Sequence, residues 1–243
     1  MTGPLSGRLT AEFLGTAFLV AAVVGSGIMA ERLAGGNIAL ALLANTIATG
    51  AALIALLLAF GPISGAHLNP AVTLAFALEG ELTWAQGWGY VAAQFLGGVA
   101  GTLVAHAMFA LPAISISRHA RSGRAQFLSE FVATFGLMSI IWGCSRARSA
   151  ALPFAVGAYI AAAYWFTAST SFANPAVTLA RSLSDTFAGI RPTDILPFTL
   201  AQLLGSLAST LLFRWLSPAP AREHGNAALG VAVSGLDALG KTV

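Results

Sequence analysis

Two asparagines head the same seven-residue phrase: residues 69–75 and 174–180 both read Asn-Pro-Ala-Val-Thr-Leu-Ala. Asn is an N-cap residue whose side-chain oxygen accepts from the first helical turn, and Pro at the next position needs no N–H there. Asn69-Pro70-Ala71 and Asn174-Pro175-Ala176 therefore start helices, and each capped Asn keeps its amide NH2 free to donate to a passing oxygen. The apolar runs after them end near Glu79 and Asp185. Ten helical residues rise about 15 Å, half a bilayer, so these are half-helices. Two helix N-termini, each worth about half a positive charge, attract lone pairs and repel cations where they meet.

Hydropathy sets the elements that hold these caps. The chain has 243 residues, 57% hydrophobic and only 9% charged, whereas soluble domains carry about a quarter charged residues. It belongs in a lipid bilayer. The net charge of +3 includes no Lys/Arg cluster dense enough to track phosphates, which excludes nucleic acid as a partner. The single Cys144 excludes a disulfide framework, and His67, His106, His119 and His224 have no metal-ligand spacing, so no metal or cofactor is expected. Cys144 reads as an inert apolar residue, with arsenical or mercury reactivity as the sharper alternative. No span carries a nucleophile–base pair, and no enzyme is expected.

A spanning helix needs roughly 20 mostly apolar residues. Six stretches qualify: 9–30, 38–60, 84–110, 125–145, 151–168 and 194–216. The fifth is the least well defined, because Pro153 opens it and Thr167 to Ser171 give it a polar end. The first is too long for a signal-peptide core and is read as retained. Residues 217–243, rich in Pro, Ala and Gly, read as a disordered tail. Basic residues divide six against six between the two sides, so the positive-inside rule gives no orientation.

The repeat extends beyond the two phrases. Ala11-Glu12-Phe13 pairs with Ser129-Glu130-Phe131, and Ala93-Gln94-Phe95-Leu96-Gly97 pairs with Ala201-Gln202-Leu203-Leu204-Gly205. One domain over 1–216 thus holds two copies, about 9–110 and 125–216, each with three spans and one half-helix. An odd number of spans turns the second copy upside down, and inverted repeats with broken helices put a solute path at the midplane. Non-helical backbone at that depth must be buried or line a cavity. Glu12 and Glu130 invite a proton-relay role. Their matched places favour a structural one, accepting hydrogen bonds from the re-entrant loops. His67 reads as a loop-packing or pore-wall donor.

With Ser64-Gly65-Ala66-His67-Leu68-Asn69-Pro70-Ala71-Val72-Thr73, the second Asn-Pro-Ala, the inverted repeat and the two leading Glu residues, the sequence resembles the aquaporin (major intrinsic protein) family over residues 9–216. The resemblance implies an all-α membrane fold of six transmembrane helices and two re-entrant half-helices. It also implies cytoplasmic termini, a multi-pass place in the cell (inner) membrane, a homotetramer with one pore per subunit, and passive flow of small uncharged solutes.

One position departs from the pattern. Family members usually carry Arg after the second Asn-Pro-Ala, and here that residue is Val177. Carrying the other constriction positions over by spacing gives a filter of Thr49, Ala162, Ser171 and Val177, wide, uncharged and mildly polar. The Asp common in glycerol channels at the next position is Thr178. Val in place of Arg resembles a bacterial branch associated with arsenic-resistance operons. That likeness suggests neutral metalloid acids such as arsenite as solutes beside water and polyols, with methylated arsenicals as a further class. Arg181, one turn beyond Val177, either reaches the outer vestibule and partly replaces the missing guanidinium or snorkels as a surface anchor. The alternatives to a wide solute channel are a strict water channel and an ion-coupled secondary transporter using Glu12 or Glu130. A non-conducting junction role is weaker still.

Overall fold

The structure is a computed structural model in which residues 3–147 and 149–217 are described. Arg148 and all but the first residue of the expected tail lie outside them. Every regular element among the described residues is a helix: α1 (Leu5–Leu33), α2 (Ile38–Ser64), α3 (Pro70–Leu78), α4 (Trp84–Met108), α5 (Arg124–Arg146), α6 (Leu152–Phe166), α7 (Pro175–Arg181) and α8 (Ile195–Leu216), the last entered through a short 3₁₀ turn at Pro192–Asp194.

Among the described residues five helices are long and apolar enough to cross a membrane: α1, α2, α4, α5 and α8. The sixth is shorter than the 151–168 stretch expected. With 15 residues, α6 rises about 22 Å against a hydrocarbon core of about 30 Å. It stops because Thr167 is extended (φ −108°, ψ 140°) and returns its hydroxyl to the Ala163 carbonyl at 2.7 Å. Thr170 and Ser171 then take left-handed conformations. The second half-helix also ends early, at Arg181. The N–H groups of Ser182, Leu183 and Ser184 fold back on the Leu179, Ala180 and Arg181 carbonyls at 3.1, 3.1 and 3.3 Å.

The two copies pack alike. α1 lies along α4, and α5 along α8. At matched places Gly97 faces the Phe13 carbonyl and Gly205 the Phe131 carbonyl, so closely that a Cβ on either glycine would overlap the oxygen. Absence of a side chain lets these helices touch backbone to backbone, the way small residues act in membrane bundles. Glu79, closing α3, accepts from Arg214 Nε on α8 and from Arg146 on α5 at 3.5 Å. That cluster ties the half-helix to the end of the bundle where the chain begins.

Candidate functional site

The loops leading into α3 and α7 are built on one plan. The first and third residues before Asn69 (Leu68, φ 49°; Ala66, φ 46°) and before Asn174 (Ala173, φ 48°; Ser171, φ 49°) are left-handed. None is glycine, and each such residue costs about 1–3 kcal/mol unless its surroundings enforce it. A buried carboxylate does so in each copy. Glu12 accepts from His67 N at 2.9 Å, Leu68 N at 2.7 Å, Ser64 Oγ at 2.6 Å and Gln94 Nε2 at 2.7 Å. Glu130 accepts from Phe172 N and Ala173 N, both at 2.9 Å, and from Gln202 Nε2 at 2.6 Å. Each Gln also donates to the Thr of the following half-helix: Gln94 to Thr73 at 2.8 Å and Gln202 to Thr178 at 2.9 Å. The repeat had displayed Gln94 and Gln202 as matched residues, but their identity alone assigned them no role.

The loops end in the two caps. Asn69 Oδ1 accepts from Ala71 N at 2.9 Å, and Asn174 Oδ1 from Ala176 N at 3.0 Å and Val177 N at 3.2 Å. Their amides are not wholly free, which corrects the sequence expectation. Asn69 Nδ2 donates to the Ala173 carbonyl and Asn174 Nδ2 to the Leu68 carbonyl, both at 2.7 Å. An amide NH2 has two donors, so each Asn spends one across the repeat interface and keeps one.

Both Asn residues line a cavity of about 290 Å³ within the bundle. His67, 8% exposed, lines it too, with Nδ1 3.2 Å from Thr73 Oγ1 and its ring packed on Phe76. Of the four residues expected to form a filter, Thr49, Ser171 and Val177 are on the wall; Ala162 is not. Helix α6 presents Leu152, Val156, Ile160 and Tyr164 to the cavity, every fourth residue. Two residues from both Ile160 and Tyr164, Ala162 is turned about 200° away and is exposed on the outside of the bundle. Tyr164 faces the cavity instead, its hydroxyl 3.4 Å from Thr49 Oγ1. The four-residue series on α6 was the signal that could have found Tyr164.

Arg181 is no surface anchor. It is 2% exposed, lines the cavity, donates from Nε to the Ala188 carbonyl, and lays its guanidinium carbon 3.4 Å from the Phe172 ring centroid. A second guanidinium, Arg121, approaches the same ring at 4.9 Å. The loop that delivers Arg121 runs beside the chain after α7, with Ser115 N on Leu183 O at 3.0 Å and Ser117 N on Ser182 O at 2.9 Å. Further along, the backbone N–H and guanidinium of the exposed Arg118 bind the half-buried Asp185 and hold its carboxyl below its usual range.

Among the described residues no group of His, Cys, Asp and Glu could hold a metal ion. The arrangement is a lined passage with fixed donors. The sequence model of the major intrinsic protein family matches residues 3–153. The chain belongs to this family. It is 58% identical over 212 residues to aquaglyceroporin AqpS of Rhizobium meliloti (strain 1021), covering 87% of this chain and 91% of the relative. Aquaporin Z of Bradyrhizobium diazoefficiens is 30% identical over 88% of this chain and 94% of its own length. The aquaglyceroporin of Plasmodium falciparum shares the fold, with a TM-score of 0.65 at 22% identity over 86% of this chain and 96% of that one. As a major intrinsic protein, the chain is a multi-pass membrane channel and not an enzyme.

Proposed function

We propose that residues 1–216 form one channel unit for passive, bidirectional movement of small uncharged solutes: water, glycerol-like polyols and neutral metalloid acids such as arsenite, extending to methylated arsenicals. The observation that carries the width of this range is Val177. Its side chain is on the cavity wall directly after Asn174-Pro175-Ala176, and pores of this kind select by diameter, lining donors and electrostatic barriers. A Val there contributes apolar surface and no charge. Support for polyols comes from the name of the relative that is 58% identical, an aquaglyceroporin. The remaining amide N–H of Asn69 and of Asn174 supplies the midplane donors, and the N-terminus of α3 adds a dipole unfavourable to cations.

The transporter alternative gains nothing from the geometry, because every oxygen of Glu12 and Glu130 already accepts from loop or glutamine N–H groups. A homotetramer in the cell membrane completes the proposal. Apolar side chains such as Phe18, Ile47, Leu96 and Leu204 are exposed on the outside of the single chain, where lipid or neighbouring copies would cover them.

Proteoliposomes in gradients of water, glycerol and arsenite test the reading, with Val177→Arg as the comparison. The wild type passes all three, and the Arg variant loses glycerol and arsenite flux while keeping water flux. Exclusion of everything larger than water by the wild type would leave a strict water channel.

A further inference from the structure

Two polar atoms on cavity-lining residues have no partner among the described residues: Ser171 Oγ and Arg181 Nη1. Both residues are 2% exposed. Buried polar groups are nearly always hydrogen-bonded, so two orphans on one cavity wall point to a ligand that completes them. Neither is a loosely held side chain. Arg181 is fixed through Nε on the Ala188 carbonyl and by its stack on Phe172, whose ring is braced edge-on by Phe198 at 5.3 Å.

The neighbouring guanidinium makes an internal comparison. Arg121 spends Nε on the Gly189 carbonyl at 2.8 Å, and Nη1 on the Ser169 carbonyl at 3.2 Å and Thr170 Oγ1 at 3.3 Å. It is consumed in holding the loop. Arg181, against the same ring, keeps Nη1 unspent. Ser171 sits in a left-handed backbone (φ 49°) with its N–H on Ser169 Oγ at 3.2 Å, which leaves the hydroxyl without a local partner.

We propose that Ser171 and Arg181 form a solute-docking station, separate from the Asn pair, for a small neutral solute bearing at least two hydroxyl groups. The inference rests on the channel reading above. Arg181 Nη1 donates to one solute oxygen, and Ser171 Oγ accepts from a solute hydroxyl. Guanidinium nitrogens are donors only and a serine hydroxyl is both donor and acceptor, so the pair suits C–OH or element–OH groups, which carry a lone pair and a proton together. The fixed positive charge makes the same place unfavourable to cations. Val177 gives the wall an apolar side, and the Thr49–Tyr164 hydroxyl pair adds further polar surface to the same cavity. Polyols and hydroxylated metalloid acids share the required chemistry.

The test uses the full chain in proteoliposomes, with stopped-flow light scattering in water, glycerol and boric acid gradients, on wild type, Ser171→Ala and Arg181→Lys. Losing one of the two contacts lowers glycerol or boric acid permeability about tenfold, the worth of roughly one hydrogen bond, while water permeability changes less than about twofold. A drop confined to one solute assigns the station to that class. Ser171→Ala removes a single oxygen, so it remains informative even where Arg181→Lys folds poorly. An unchanged solute-to-water ratio in Ser171→Ala overturns the proposal. A wild type that passes none of the three probes instead overturns the channel reading.

Discussion

Asn69 donates its side-chain amide to the backbone carbonyl of Ala173 at 2.7 Å, linking the cap of one half-helix to the loop of the other copy. The reverse bond, Asn174 to Leu68, has the same length. The two inverted copies are thus latched to each other by the residues that cap them, and an Asn at either place serves structure and pathway at once.

Asn69→Asp separates those duties. The Asp still caps Ala71, since a carboxylate oxygen accepts as an amide oxygen does. It can no longer donate, and it turns an acceptor toward the Ala173 carbonyl. Loss of the bond and a buried unpaired carbonyl cost about 2–3 kcal/mol together. Thermal unfolding in detergent should fall for Asn69→Asp and for its twin Asn174→Asp by similar amounts. A melting temperature equal to that of wild type would show that the latch carries no load.

The buried carboxylates differ in how much they hold. Glu12 accepts from four donors and Glu130 from three. Replacing either with Gln keeps one oxygen and sets an NH2 against N–H groups that need an acceptor. Hydrogen bonds to a charged group are worth about 1.5–3 kcal/mol each, so both variants lose several kcal/mol, Glu12→Gln more than Glu130→Gln. The order of their unfolding temperatures checks this. The reverse order would mean that the fourth donor to Glu12, Ser64 Oγ, contributes little.

Close backbone contact at the matched glycines gives a graded set. Gly97→Ala and Gly205→Ala each force a helix away from a carbonyl oxygen, and overpacking of this kind costs about 1–3 kcal/mol. Gly143→Ala, in the middle of the last turns of α5, meets nothing nearer than Phe213 Cε1 at 3.8 Å. It should be neutral or stabilising by up to about 1 kcal/mol, the helix-propensity difference. Equal effects at all three would remove the case for tight crossings at 97 and 205.

How far the sequence discloses this molecule depends on what each signal encodes. The caps were legible because Asn-Pro is a local instruction and it occurs twice. Glu12 and Glu130 were legible as a pair because they hold matched places in the repeat. The cross-latch was not legible: nothing in two separate loops states that their ends come within hydrogen-bonding distance. Arg181 was visible as a charge one turn from Val177, but its stack on Phe172 and its bond to the Ala188 carbonyl depend on how the chain before and after α7 folds back on it. Ala162 was misplaced for a geometric reason. Counting back from Val177 fixes a distance along the chain, whereas the face a helical residue shows turns by 100° per step. The early end of α6 at Phe166 therefore leaves Tyr164, and not Ala162, toward the cavity.

That rotation yields the sharpest prediction. Ala162 is exposed on the outside of the bundle, and Tyr164 is 3% exposed on the cavity wall. Ala162→Leu should leave water and glycerol permeability within about twofold of wild type, since it adds an apolar side chain to an apolar outer face. Tyr164→Ala removes a ring from the wall and should raise permeability to bulky polyols several-fold relative to water. Tyr164→Phe removes only the hydroxyl facing Thr49, and so separates width from polarity: it should retain the wild-type size limit. Permeability in proteoliposomes to water, glycerol and a five-carbon polyol reads out all three variants. Glycerol flux that responds to Ala162→Leu and ignores Tyr164→Ala would return the filter to the position given by spacing alone.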